Sequence, residues 1–590
     1  MFNVDRPISV RDETMQWGSD VAAEMLRRVG IKYVALNPGA SYRGFHDSLV
    51  NYLGNTDPSL LLCLHEDHVI SIAHGYAKAT DEPMGAVLHS NVGLMHGSMA
   101  IFNAYCDRMP VFVLGATGPG EPQKRRPWID WIHTAKDQGA LIRDYIKWDD
   151  EPRSIEGIPD AFFRASQLTR TEPMAPVYIC LDAGLQETAL VQAPSIPDTR
   201  RYQPATRPHA SPHEIENLTQ ALLASSRPLI LFGRGSRSQA DWARRVELAE
   251  LLGASVMTSI RDRCVFPTEH GLAAAPPVYW LDDHAKTLVR NADLILSLDW
   301  VDLKGTLLQA FDSVESITPT LVHASLDSHL HRGWSMDYFG LPPADTLLHT
   351  SPDALVEQLV TALRGALAQA RWDGVSRNRA PTPQYSEQAA TRIAPNDIEV
   401  ALQKLRKDRP LTLAHGTYGW AGHVFHARGP LDFLGSDGGA GLSAGPGLSV
   451  GAALALKDSG RTVVSVMGDG DYLQGVTALW TAARYGLSLL IIVSNNRSNF
   501  SDEMHQETVA KVRGRPVENR WIGQRIEDPE VDLVAMARAQ GVHGAETVTT
   551  VPELEQAIQR GLDATDRGEL YFIDARVVPG YAITPLSRGK

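Results

Sequence analysis

Residues 463–498 read VVSVMGDGDYLQGVTALWTAARYGLSLLIIVSNNRS, and this stretch decides the fold. The apolar run VVSVM has the length of a buried strand and ends at Gly468, Asp469 and Gly470. VTALWTAARYG then spaces its apolar residues as a helix does, and a second apolar run, LLIIVS, ends at Asn495 and Asn496. Strand, turn, helix, strand and turn in this order make a parallel unit whose two turns lie at the carboxyl ends of adjacent strands. Asp469 and Asn496 are thereby brought to one crevice. A carboxylate, an amide carbonyl and a backbone carbonyl form a hard-oxygen set that suits Mg²⁺. Gly468 and Gly470 let the backbone approach a phosphate closely. GDG alone is more often a plain turn, and NN says less still; the combination at this spacing carries the inference.

Further runs of the same kind, YVALNP, GAVLHS, PVFVLGA, PLILFG and DLILSLDW, alternate with amphipathic stretches along the chain. That alternation predicts an α/β protein with parallel sheets covered by helices on both faces. At 590 residues the chain exceeds what one core supports, since cores stop growing at about 250–300 residues. Two polar, proline-rich segments, 192–212 and 371–395, read as linkers. The expectation is three doubly wound domains, at 1–191, 213–370 and 396–580.

Composition narrows the function. A formal charge of −13 argues against a nucleic-acid or anionic-membrane partner, which needs a clustered positive field. The four cysteines are scattered without a CxxC pair, so neither a zinc site nor a disulfide framework is suggested, and a reducing cytoplasm fits. No stretch approaches a membrane span, and the N-terminal residues lack an apolar targeting core.

GDG followed by NN resembles the signature of the thiamine-diphosphate enzyme family, and ALWTAARYG is particularly similar to the corresponding stretch of its benzoylformate decarboxylase members. The resemblance implies a pyrimidine-binding, a central and a diphosphate-binding domain, with thiamine diphosphate and Mg²⁺ as cofactors. It makes Asp469 and Asn496 side-chain ligands of the metal and Ser498 a main-chain ligand. It places Gly468, Gly470 and Asp471 at the cofactor. Upstream, FLGSDGGAGLSAGPGLSVG resembles the stretch that holds the aminopyrimidine, with Leu442 as the apolar prop of the bent cofactor. LAHGTYGWAG falls where the family binds the diphosphate, through Gly416, Thr417 and Tyr418; a strand-to-loop turn accounts for these residues as well.

In the first part, LHEDHVISIAHGYAKA reads as a strand leading into a helix near Glu66. A carboxylate at a helix start is ordinary, because the dipole favours it. By resemblance, Glu66 is the residue that hydrogen-bonds N1′ of the aminopyrimidine, and it comes from one subunit while the metal site comes from another. The resemblance therefore implies a homodimer or homotetramer with its active site at the subunit interface. The LHS triplet at His89 matches benzoylformate decarboxylase and puts His89 beside the reacting carbon; a solvated strand-end histidine is the alternative. Asn91, Gly93 and His96 follow as weaker candidates. His133 occupies a position similar to a His-Thr pair of pyruvate decarboxylase. Trp128 and Trp131 beside it either wall the site or belong to the core, and Lys124, Arg125 and Arg126 either receive an anion or form a solvated loop.

There are departures from the family pattern. Asn37, Pro38 and Gly39 match an NPG turn, yet Ala40 stands where the benzoylformate decarboxylase members have a substrate-binding serine, and Ser41 comes one position later. No second histidine is recognisable in FPTEHGLAAAPPVYWLDDH. Glu503 and His505, after NN, belong either to a lid over the site or to a mobile surface loop. In the central part a lone Gly233-Arg234-Gly235 is weak evidence for a dinucleotide, and the absence of an MHGT-like segment argues against FAD. The first functional reading is a 2-oxo acid decarboxylase. An acetolactate synthase-like carboligase and a 2-hydroxyacyl-CoA lyase follow, and a non-catalytic thiamine-diphosphate-binding subunit is the alternative from another class.

Overall fold

The computed structural model describes residues 4–8, 14–277, 279–329, 340–380, 382–420, 422 and 424–580. Within them, sixteen strands form three sheets, and every strand pair in the sheets is parallel. The first sheet holds β1 (Tyr33–Leu36), β2 (Ser59–Leu62), β3 (Met84–Leu88), β4 (Val111–Thr117), β5 (Trp148–Asp150) and β6 (Val177–Asp182) in the order 2-1-3-4-6-5. The second holds β7 (Pro228–Phe232), β8 (Ser255–Thr258), β9 (Leu294–Leu298), β10 (Thr320–Ala324) and β11 (Thr346–Leu348) in the order 11-10-9-7-8. The third holds β12 (Leu411–His415), β13 (Thr462–Gly468), β14 (Leu489–Asn495), β15 (Gly544–Val548) and β16 (Leu570–Arg576) in the order 12-13-14-16-15. Helices cover both faces of such sheets, so their central strands are buried on both sides and read as unbroken apolar runs. β4 and β14 are buried at every residue.

In the first sheet the chain steps from β1 to β2 on one side and to β3 on the other. The crevice beyond the carboxyl ends of β1 and β3 is therefore the place for a ligand. Asn37–Gly39 and His89 lie there.

The first and third sheets are locked together by two helices, Glu66–Thr80 and Ala444–Leu456, and one hydrophobic cluster runs through both domains. Glycine makes the close approach possible. A Cβ on Gly75 would lie 2.1 Å from the Leu448 carbonyl oxygen, and one on Gly451 2.0 Å from that of Ile72. Gly75→Ala is expected to force the helices apart at a cost of about 1–3 kcal/mol. A urea midpoint equal to that of the parent protein would refute this.

In the central sheet, Gly233 is needed where the turn after β7 crosses the backbone of Asp299, whose carbonyl oxygen a Cβ would meet at 2.1 Å. The Arg234 guanidinium is committed to Asp299 at 2.9 Å and Asp327 at 3.0 Å. This GxG turn therefore has a packing role.

Candidate active site

β2 ends at Leu62, and Glu66 opens the helix that follows, with His65 as N-cap, its ring accepting the Asp67 N–H. The Glu66 side chain is buried, and His96 donates from Nδ1 to its Oε2 at 3.1 Å. Burial opposes its ionisation, but hydrogen bonds from His96 and Asn37 hold the carboxyl below the usual glutamate range. Glu66 is therefore a carboxylate at neutral pH.

His89 caps the next helix, Ser90–Cys106, and Ser90 is held at φ +42°, a strained value for a side-chain-bearing residue. The His89 ring fits only because residue 39 is glycine, since a Cβ there would lie 2.3 Å from the ring. Ser41 Oγ lies 2.9 Å from His89 Nδ1 and accepts the Ser90 N–H at 3.1 Å. The Ser41 hydroxyl thus retains a proton to give to Nδ1, and in that arrangement Nε2 carries the imidazole proton. Burial, then His133 and Arg126, push the His89 pKa below the ordinary 6.5 against the pull of Glu66. The His89 and His133 rings meet edge to face with centroids 4.7 Å apart. Gly93 sits between the two halves of this cluster: a Cβ on it would be 3.1 Å from Glu66 Oε1 and 3.4 Å from His89 Cβ.

Ser90 Oγ, Asn91 Oδ1, His133 Nδ1 and Thr134 Oγ1 are all buried without hydrogen-bond partners. Native interiors satisfy such groups, so four of them within a few residues of His89 and His133 mark a place for a polar ligand or water. Trp128 and Trp131 are 71% and 74% exposed, so neither belongs to the core. Arg126 is paired with Asp130, and Arg125 donates to the Pro119 and Gly120 carbonyls, so both are tied into their own loop.

At the third sheet, Gly468 pairs with Ser494 across β13 and β14, so the two turns emerge side by side as the spacing predicted. Asp469 accepts the Gly470 N–H at 3.0 Å and the Ser498 N–H at 3.1 Å, and Asn496 Oδ1 accepts the same Ser498 N–H at 2.9 Å. Ser498 thus gathers both side chains around its own backbone. Asn495 instead donates to Asp574 and shores up the sheet. Burial raises the Asp469 carboxyl to about 6, and no basic side chain pairs with it among the described residues. A buried carboxylate beside further oxygens, with no counter-charge, is a fitting seat for a hard cation. A Cβ on Gly468 would meet nothing within 4 Å, which leaves open space at the turn.

Asp471 Oδ1 accepts the Ser443 N–H at 2.8 Å and the Gly445 N–H at 3.3 Å, holding the glycine-rich loop, while its Oδ2 is buried without a hydrogen-bond partner. Ser443 in turn donates to Asp67 at 2.7 Å, next to Glu66. Within one chain, the Glu66 helix and the GDG turn are linked through this loop. Leu442, in the same loop, is 49% exposed. Gly416 packs under Trp420, the Thr417 carbonyl accepts the Trp420 N–H at 2.9 Å, and Tyr418 stacks on Tyr279.

Three family models match the chain in order: the thiamine pyrophosphate enzyme N-terminal TPP-binding domain at 16–141, its central domain at 215–327 and its C-terminal TPP-binding domain at 415–575. The chain belongs to the thiamine pyrophosphate enzyme family. It is 25% identical to benzoylformate decarboxylase of Pseudomonas aeruginosa over 94% of this chain and 98% of that one. It is 23% identical to acetolactate synthase isozyme 3 large subunit of Escherichia coli, over 96% of each. Its fold matches the solved thiamine diphosphate-dependent 4-hydroxybenzoylformate decarboxylase of Rhodococcus jostii RHA1 with a TM-score of 0.76, at 21% identity over 96% of this chain and 99% of that one.

This thiamine pyrophosphate enzyme thus carries two clusters, an N-terminal carboxylate with two histidines and a C-terminal set of oxygens. Three residues that the sequence marks only weakly gain a definite place in the structure. Ser41 was noted only as a displaced serine, yet it orients His89. His96 was a weak candidate, yet it holds Glu66. Glu503 reads as lid or surface in the sequence, and in the structure its carboxylate accepts the Ser498 hydroxyl at 2.6 Å. Ser41 and His96 have no local motif, because their partners His89 and Glu66 lie on other segments of the chain.

Proposed function

We propose that this thiamine pyrophosphate enzyme is a Mg²⁺-dependent 2-oxo acid decarboxylase. The observation that carries the reading is the Ser41-oriented His89, packed against His133 and set across Gly93 from the Glu66 carboxylate. The relatives named benzoylformate decarboxylase and 4-hydroxybenzoylformate decarboxylase support it. Thiamine diphosphate, when bound, supplies a carbon nucleophile and an electron sink for breaking the bond next to a carbonyl. Asp469, Asn496 and the Ser498 carbonyl would hold the Mg²⁺, with Gly468, Gly470, Gly416 and Thr417 near the diphosphate and Leu442 beside the rings. Glu66 would exchange a proton with N1′ of the aminopyrimidine. His89 and His133 would bind the substrate carboxylate or carbonyl and deliver the proton that replaces CO₂.

An apolar rim supports assembly as at least a homodimer. Leu64, Met95, Met99, Trp128 and Trp131 are exposed around the N-terminal cluster, and a second subunit bringing its own metal turn would cover them. No helix among the described residues is long and apolar enough to cross a membrane. A cytoplasmic enzyme divided at 1–191, 213–370 and 396–580 completes the reading.

The test is turnover of a panel of 2-oxo acids and 2-hydroxyacyl thioesters, each with and without an acceptor aldehyde, in thiamine diphosphate and Mg²⁺. CO₂ release with aldehyde product supports the decarboxylase. Condensation onto the acceptor would make it a carboligase, and cleavage of thioesters without CO₂ would make it a lyase. Within the decarboxylase reading, Ser41→Ala removes the hydrogen bond that sets the His89 tautomer and should lower kcat/KM about tenfold. Ser41→Thr should restore most of it. Because burial depresses the His89 pKa and delivery of a proton needs the protonated ring, kcat/KM should decline as pH rises through a midpoint below 6.5. An unaltered rate in Ser41→Ala would remove Ser41 from the mechanism.

A further inference from the structure

Residues 497–526 leave the metal turn and return to it. The neck of this excursion is pinned by two backbone bonds, Ile526 N–H to the Arg497 carbonyl at 2.8 Å and Asn499 N–H to the Gln524 carbonyl at 2.9 Å. Between them lie the helix Phe500–Val512 and the 3-10 turn Val517–Trp521, joined by residues 513–516, and every residue from 511 to 516 is exposed. At the neck sits Glu503, only 2% exposed on an otherwise polar helix.

Its carboxylate ties three segments together. Oε1 accepts the Ser498 hydroxyl at 2.6 Å and the Arg525 Nε–H at 3.2 Å, while Oε2 lies 3.6 Å from Arg520 Nε. Arg520 also pairs with Glu507, one turn further along the helix. The outgoing leg, the returning leg and the turn that carries Ser498 therefore converge on one buried charge. A buried carboxylate is tolerable in such a place only while its cationic and hydrogen-bonding partners stay put.

Ser498 is the other half of the link. Its N–H is shared by Asp469 and Asn496, and its hydroxyl is bound to Glu503. Any cation that settles between Asp469, Asn496 and the Ser498 carbonyl fixes Ser498, and a fixed Ser498 fixes the hydroxyl that Glu503 grips.

We infer that Glu503 is a positioning residue, which holds Ser498 in its metal-binding pose and couples occupancy of the metal turn to closure of the 497–526 excursion. The inference rests on the reading of Asp469, Asn496 and Ser498 as the Mg²⁺ site. Coupling of this kind is reciprocal, so the cation orders the excursion as much as the excursion favours the cation.

Lys511 and Arg513 are exposed on the excursion, so trypsin reports its closure. The experiment measures, on the full-length protein with thiamine diphosphate, the Mg²⁺ dissociation constant by calorimetry and the rate of tryptic cleavage at those two residues with and without Mg²⁺. In the parent protein, Mg²⁺ is expected to slow cleavage about tenfold or more. Glu503→Ala should bind Mg²⁺ roughly 10–100 times more weakly, and its cleavage should no longer respond to Mg²⁺. Glu503→Gln keeps an acceptor for Ser498 but loses the charge that holds Arg520 and Arg525, and should fall between the two. Ser498→Ala removes only the hydroxyl and should uncouple cleavage from Mg²⁺ in the same way, which keeps the test open if Glu503→Ala fails to fold.

A Glu503→Ala protein with the parent's Mg²⁺ affinity and Mg²⁺-dependent protection overturns the inference. A general weakening, with equal loss of stability in the absence of Mg²⁺ and protection still intact, also overturns it, because that is what a purely structural residue would show. A parent protein that binds thiamine diphosphate without any need for Mg²⁺ instead refutes the metal-site reading beneath it.

Discussion

Glu66→Gln is expected to lower kcat by about 10²–10⁴-fold with the fold intact, the range a positioned proton-transfer group contributes. The amide has the volume of the carboxylate and can still accept from His96, so the packing around Gly93 and the start of the Glu66–Thr80 helix survive. What is lost is the charge. His96 and Asn37 hold Glu66 ionised against its burial, an arrangement that keeps a carboxylate ready to exchange a proton with a basic ring nitrogen. Steady-state turnover beside a circular-dichroism melting curve checks this. A variant that keeps turnover within about threefold of the parent, at equal cofactor loading, would sink the role given to Glu66.

Asp469→Asn should raise the Mg²⁺ dissociation constant by at least about 100-fold, since even groups outside the ligand sphere are worth about 10–100-fold. The parent protein carries a pH signature that makes the same point without mutation. Burial raises the Asp469 carboxyl from 3.8 to about 6 in the cation-free fold. Its folded state then binds a proton more tightly than the unfolded chain does, so this group's contribution to stability declines as pH rises from about 4 to 6 and stays low above. Mg²⁺ relieves the penalty where the carboxylate is charged. Below pH 6, binding must expel a proton and should weaken by about tenfold per pH unit. Addition of Mg²⁺ with thiamine diphosphate should therefore raise the melting midpoint far more at pH 7.5 than at pH 5. Equal shifts at the two pH values would show that Asp469 does not face the cation.

Much of this protein was legible before any coordinates. Unbroken apolar runs announce strands buried on both faces, and the run from Val463 to Asn496 carries its own topology, because a parallel crossover leaves both turns at one edge. The glycine turns, the GDG and NN pairs and the helix opening at Glu66 were readable for the same reason: each is a contiguous segment whose backbone geometry depends on its own residues.

What only tertiary structure decided lies between segments. Ser41 meets His89 because β1 and β3 are neighbours, and Gly39 is required by a ring that belongs to another loop. Asp471 stands beside GDG in the sequence, and only the fold brings the Ser443–Gly445 loop onto its Oδ1. Glu503 looks like a surface charge on a polar helix, until the returning leg brings Arg525 and the turn brings Ser498 against it. Local sequence determined the strands, the turns and the chemistry available at them, because those depend on short-range sterics and apolar periodicity. Which side chains face one another was decided by sheet order and helix packing, and no single stretch of chain encodes a distance between two others.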